Sequence, residues 1–335
     1  MGAAAEDLIR SIRGSRVLVT GGSGFIGRAV CRILTDSGAE ILNYDLKPWP
    51  GGESPLRTVI GDIEDSDALR SACQSFEPSI FIHLAAFASV TASEREDFSS
   101  IWNGTRIAAT AFSEAPTAHR FVNISTQLVI RPGPQPTDLR AYDPYTPYGE
   151  AKAEAEQMLD NLERPYSAVH IRPTNIWGPY HPSYATSIMR YLSRGWYLHP
   201  DTAEPVVRTY GYVDNCAGQI ISVAFSPAAS NGDIYYGGDE AMDSAEFLNA
   251  MSMALRGKPL RRLPAGLLRG AGEAGTLLQR VGLPVPLDRE RVMRMSTDYR
   301  VPLDAVRELM AFPYVPFDEA MRRTVRWFKA GAGAR

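Results

Sequence analysis

Apolar positions follow two rhythms along this chain. Short apolar or β-branched runs, bounded by Gly, Pro or Asp, alternate with longer stretches in which apolar residues recur every three to four positions. The short runs predict strands at Arg16–Thr20, Glu40–Asp45, Arg57–Ile60, Ser79–Leu84, His119–Ser125, Ser167–Arg172 and Gly232–Gly237. The longer stretches predict helices at Ile26–Ser37, closed by Gly38, and at Asp97–Ala115, Pro147–Leu159 and Cys216–Phe225. Apolar strands flanked by helices indicate a parallel sheet covered on both faces, hence an α/β fold. Residues 1–14 read as a short, partly helical appendage. The proline-rich run Arg131–Pro136 reads as a lid or a stiff connector.

From Pro173 onward Trp, Tyr, Pro and Arg become frequent, as expected of a substrate-binding lobe. The later helix and strand imply that the chain returns to the main sheet before leaving it again. The expected division is 1–176 with 209–242 as one domain, and 177–208 with 243–330 as the lobe. Residues 261–286 form a basic, leucine-rich amphipathic stretch. Such a stretch more often packs domains or forms a dimer face than touches a membrane, and peripheral attachment stays open.

Composition narrows the partners. The 335 residues are 44% hydrophobic and 22% charged, with a net charge of -3, as in a chain that buries a core and lacks the basic stripe of a nucleic-acid binder. Three distant cysteines (Cys31, Cys73, Cys216) and five scattered histidines show no metal-ligand spacing, so no metal is expected. No apolar run is long enough to span a membrane, and the amino terminus carries no targeting pattern, which implies a cytoplasmic protein.

The chemistry begins at Val17-Leu-Val-Thr-Gly-Gly-Ser-Gly-Phe-Ile-Gly27, where a strand enters a glycine turn and leaves as a helix. Gly21 permits the tight turn, Gly24 the approach of a pyrophosphate, and Gly27 close packing of helix on strand. The helix end then offers free N–H groups to phosphates. Asp45 closes the second strand at the distance where a carboxylate accepts adenosine ribose hydroxyls, which favours NAD over NADP; Arg28 and Lys47 weaken that preference. Asp62 either reaches the adenine or caps the next helix. His83 reads as a packed strand-end residue. Tyr148 and Lys152 stand four apart on one predicted helix face. With 15 Tyr and 4 Lys in the chain, chance supplies about 0.2 such pairs. An ammonium there is expected to lower the phenol pKa, so that Tyr148 exchanges a proton while a nicotinamide exchanges a hydride.

With these residues the chain resembles the extended short-chain dehydrogenase/reductase family, in its NAD-dependent sugar-nucleotide epimerase/dehydratase group. The matches run from Thr20-Gly-Gly-Ser-Gly-Phe-Ile-Gly27 through Asp45, Gly61-Asp-Ile63, His83-Leu-Ala-Ala86, Asn103-Gly-Thr105 and Ser125-Thr126 to Tyr148-x-x-x-Lys152. They continue at Arg172-Pro-Thr-Asn-Ile-Trp-Gly-Pro179 and Arg208-Thr-Tyr-Gly-Tyr-Val-Asp214. The resemblance implies a Rossmann-type doubly wound sheet with a smaller, interrupted C-terminal lobe, and a homodimer. It implies catalysis by Thr126, Tyr148 and Lys152. Cofactor contacts would come from Gly21, Gly24, Phe25, Ile26, Gly27, Asp45, Asp62, Ile63, Leu84, Ala85, Ala86, Asn103 and Thr174, with Tyr148 and Lys152. Ser89, Thr126, Asn175 and Arg208 would hold a nucleotide sugar, Arg208 and Asn175 at its diphosphate. Where dehydratases of the group carry an acidic pair, Gln127 and Leu128 stand, which disfavours 4,6-dehydration. The expected activity is a nucleotide-sugar epimerase, at C4, in glycan or polysaccharide synthesis. The alternatives are an NAD(P)H-dependent reductase of a keto-sugar or other carbonyl, and a catalytically silent dinucleotide sensor.

Overall fold

A computed structural model describes residues 3–52, 56–86, 98–280, 283, 285 and 287–332. Seven parallel strands form the main sheet: β1 (Arg16–Thr20), β2 (Glu40–Asp45), β3 (Arg57–Ile60), β4 (Ile80–His83), β5 (Arg120–Ile124), β6 (Ser167–Pro173) and β10 (Ile234–Gly237). Their order is β10-β6-β5-β4-β1-β2-β3, so the winding reverses beside β1, and the carboxyl ends of β1 and β4 flank the crevice. Val17, Leu18 and Val19 are fully buried, as a central strand between two helical layers requires.

On one face lie α2 (Phe25–Asp36) and α7 (Val213–Phe225); on the other lie α3 (Ser66–Phe76), α4 (Ser99–Ser113) and α5 (Pro147–Asn161). Each face has its own apolar core. Gly38, at φ +84°, follows α2 as expected, with the N–H groups of Ser37, Gly38 and Ala39 returning to its last carbonyls.

Several expectations change. The amino-terminal segment is no appendage: α1 (Ala3–Ile12) buries Leu8 and Ile12 and packs on α7, because its apolar stripe matches the outer face of that helix. Strand β9 (Val207–Tyr212) pairs with β7 (Asn175–Trp177) and β11 (Glu240–Asp243) in a separate three-stranded sheet. Within 209–242 it is therefore α7 and β10 that rejoin the main sheet. Asp62 does not cap α3; Asp65 does, accepting from the Ala68 N–H at 3.0 Å. Asp97, the expected start of α4, lies outside the described residues.

The remaining elements are α6 (Ile188–Arg194), β8 (Leu198–Asp201), α8 (Ser244–Arg256), β12 (Arg261–Pro264), α9 (Ala265–Arg280), α10 (Arg289–Met295), α11 (Asp304–Leu309) and α12 (Phe317–Ala332), with β8 and β12 forming a two-stranded parallel ribbon. The 131–146 loop is fastened along its length. Arg131 pairs with Asp143, Arg140 with Asp160, and the Leu139 carbonyl accepts from Arg172.

Candidate active site

Gly21 has φ +74°, and a Cβ there would meet the Ala85 nitrogen at 2.7 Å. A Cβ on Gly27 would come within 2.2 Å of the Gly21 carbonyl oxygen, so only glycine lets α2 start this close to the turn. Gly24 is the N-cap of α2, and no side chain caps that end. The first N–H groups, from Phe25 to Gly27, thus emerge uncapped beside the exposed Gly24.

The Asp45 carboxylate stands next to this opening. It accepts the Ser23 N–H and the Lys47 N–H, both at 2.9 Å, which fixes its plane and leaves lone pairs for hydroxyl donors. Arg28 donates from Nε to the Ser23 carbonyl and lays its guanidinium over the Tyr180 ring. Asp62 accepts the Glu64 N–H, and Ile63 covers Gly104 of α4. Asn103, one residue earlier, is half-buried, donates to Glu64 and accepts from Arg106, so it sits at this same outer end of the crevice. The Leu84 and Ala85 N–H groups turn back to Thr20, carrying the chain to Ala86 beside the glycine turn. Thr174 commits its hydroxyl to the Gly237 carbonyl. Ser89 lies outside the described residues.

At the other end, Thr126 ends the segment after β5, and its hydroxyl accepts the Leu128 N–H of a single 3-10 turn, Gln127–Val129. The first turn of α5 presses on that turn: a Cβ on Gly149 would meet the Leu128 oxygen at 2.4 Å. Thr146 caps α5, with Pro147 at its first position, and this fixes where Tyr148 emerges. The Tyr148 ring packs edge-on to Phe98 at 5.9 Å. Lys152 is buried and donates from Nζ to the Ile124 carbonyl at 2.7 Å, just before Ser125-Thr126. The structure therefore sets the first turns of α5, which carry Tyr148 and Lys152, against the Ile124–Leu128 segment that carries Thr126.

The electrostatics differ from expectation. Burial pushes the Tyr148 phenol up to about 12, and no charge offsets it, because the Lys152 ammonium is turned to a carbonyl. Burial also lowers Lys152 to about 8, against the pull of Glu156 one turn further along α5. Glu156 itself is held ionised: burial alone would raise its carboxyl, but the Arg172 guanidinium, at 3.0 and 2.6 Å, keeps it below the usual range. His83 is packed, as expected. Its Nδ1 meets the Thr20 hydroxyl at 2.8 Å, and burial, then the Lys152 charge, lowers its pKa to about 3.

Towards β7 and β9, the Gln127 amide donates to Asn175 Oδ1 at 3.3 Å, and Asn175 donates to the Thr209 carbonyl, linking the Thr126 turn to β9. Arg208 on β9 donates Nε to the Thr297 carbonyl, and it has no carboxylate partner among the described residues. Its charge reaches five buried phenols. Burial raises Tyr145, Tyr184, Tyr197, Tyr210 and Tyr299, and the Arg208 charge opposes that rise in each. This set of tyrosines, and the bridging role of Gln127, were not identified from the sequence; the only signal was the local density of Tyr.

The family model described as the NAD dependent epimerase/dehydratase family matches residues 17–235. The chain belongs to that family. A probable dTDP-glucose 4,6-dehydratase of Sinorhizobium fredii is 32% identical over 197 residues, 50% of this chain and 55% of its own. The chain spans about half the length of several curated relatives it matches. A 2-alkyl-3-oxoalkanoate reductase of Stenotrophomonas maltophilia is 28% identical over 92% of this chain and 98% of its own. The UDP-glucose 4-epimerase of Thermus thermophilus, solved with NAD, superposes with a TM-score of 0.69 at 25% identity, covering 94% of this chain and 99% of that one.

The family uses NAD, and the residues present fit it. Gly24 places no side chain over the uncapped end of α2, where the diphosphate of NAD would be held, and Asp45 presents its carboxylate beside it for the ribose.

Proposed function

We propose that this member of the family is a nucleotide-sugar epimerase acting at C4, and that residues 177–208 and 243–330 act as its substrate lobe. One observation carries the reading. Arg208 has no carboxylate partner among the described residues, its charge reaches five buried phenols, and its neighbour Thr209 is tied through Asn175 to Gln127, next to Thr126. Such a group suits a diphosphate, and aromatic rings suit the base or sugar beside it. NAD, when bound, supplies the hydride acceptor and donor. Thr126 holds the reacting sugar oxygen, Tyr148 exchanges its proton, and Lys152 keeps positive charge at the site. Gln127 and Leu128 offer no carboxyl to eliminate water, so dehydration is not the proposed outcome. A homodimer in the cytoplasm is part of the same reading.

A second reading, a carbonyl reductase, is favoured by the nearly full-length match to a 2-alkyl-3-oxoalkanoate reductase. The neutral Tyr148 phenol also agrees with it, since that is the proton-donating form. The test incubates the purified protein with UDP-, GDP- and dTDP-sugars and follows both sugar configuration and NADH absorbance. Epimerisation without net NADH change is expected, and it should vanish in Tyr148→Phe. Stoichiometric NADH consumption with keto substrates, and no epimerised sugar, would replace the first reading by the second.

A further inference from the structure

Helix α9 carries three stripes at 100° per residue. One faces inward: Leu268 is buried, and Cβ atoms on Gly272 and Gly275 would strike Val292 and the Leu287 carbonyl. A second, with Arg269 and Glu273, is polar and exposed. The third holds Leu267, Gly270, Ala271, Ala274, Leu277 and Leu278, all exposed. Leu267 is 65% and Leu277 63% accessible, and Gly270 has open space where a Cβ would stand. Among the described residues, packing within the chain explains only the first stripe. Exposed leucines on a continuous smooth stripe mark a surface that meets something apolar.

Charge identifies what that is. Residues 261–294 hold seven arginines against three acids, in a chain whose net charge is -3. Arg262, Arg289, Arg291 and Arg294 pair with Asp201, Glu273, Asp288 and Glu290, and the segment keeps a net positive charge, with Arg269 on α9 having no carboxylate partner among the described residues. Beside this segment Arg261 donates to the Gly195 carbonyl, and the next residue, Trp196, is 61% exposed with the Arg194 guanidinium 5.0 Å from its ring. An apolar helical stripe on a net positive segment, with an exposed tryptophan two residues before the strand that pairs with Arg261–Pro264, matches an anionic lipid surface: acyl chains take the leucines and headgroup phosphates take the excess guanidinium charge. A second copy fits less well. A two-fold contact would set this basic segment against its own copy, like charge on like charge.

We propose that the outer face of α9 docks peripherally on anionic membranes. The full chain should sediment with vesicles of phosphatidylcholine and phosphatidylglycerol and remain free of phosphatidylcholine vesicles. Binding should fall at about 1 M salt, where the Debye length is ~3 Å. The variant Leu267→Glu/Leu277→Glu/Leu278→Glu should lose about tenfold or more in vesicle affinity while NAD binding and circular dichroism stay unchanged. If that variant misfolds, Arg269→Glu takes its place and should lower the affinity and flatten its salt dependence. Absence of binding to mixed vesicles, or equal binding to neutral ones, overturns the proposal. So does a triple variant that changes oligomeric state in sedimentation equilibrium but not vesicle affinity, since a second copy then covers the face.

Discussion

Lys152 carries the sharpest conflict at the scale of a single residue. Its ammonium is buried, makes one backbone hydrogen bond, and shares Glu156 with an arginine already bound there. Burial brings its pKa down to about 8, so the charge that would assist Tyr148 is lost within the working range of an enzyme. Below about 8 the group is charged, and above it the positive charge at the site is lost. Turnover should therefore fall on the alkaline side, with an apparent pKa near 8. Lys152→Arg keeps the charge to far higher pH. It should move that alkaline limb upward even if kcat is lower throughout. A wild-type profile that stays flat from about pH 7 to 10 would remove Lys152 from the role.

Among the elements, α5, β6 and the 131–146 loop are joined by one buried pair. Arg172 and Glu156 are both fully inaccessible; Arg172 also donates to the Leu139 carbonyl and the Tyr236 hydroxyl, and the Tyr142 hydroxyl donates to Glu156. Removing one partner strands the other's charge. Glu156→Gln should cost about 3–5 kcal/mol in urea unfolding, and Glu156→Met with Arg172→Leu should recover most of it. A loss below ~1 kcal/mol in the single variant would show that the pair is not what joins these elements. The order of strands and helices, the glycine turn and the Tyr148–Lys152 spacing were readable from sequence, because each depends on local rhythm or on contacts a few residues apart. The pair Glu156–Arg172 was not, nor was the set of buried tyrosines that the Arg208 charge reaches. Each assembles residues from distant elements, and sequence periodicity carries no record of such meetings. The phenol pKa was misjudged for the same reason: helical spacing placed Lys152 near Tyr148, but the Ile124 carbonyl that captures its ammonium comes from β5.

For the molecule as a whole, acid tolerance depends on histidines sealed within it. His83 is wholly inaccessible, between the Thr20 hydroxyl and the Phe81 and Phe121 rings, and its pKa is brought down to about 3 by burial and by Lys152. His181 and His199 are lowered to about 4, again mainly by burial. In the unfolded chain each returns to about 6.5. Between those values the unfolded chain binds protons that the native fold refuses, so stability is full above about 6.5 and declines as pH falls towards 3–4. The urea midpoint should drop between pH 7.5 and 5, and the drop should be smaller in His83→Gln, whose amide retains a partner for Thr20 without titrating. The pH dependence, not the absolute stability, is the quantity to compare, because the substitution alters packing at every pH. Equal drops in the two proteins would mean that His83 takes up its proton inside the fold, and that the centre of the sheet admits water beside Lys152.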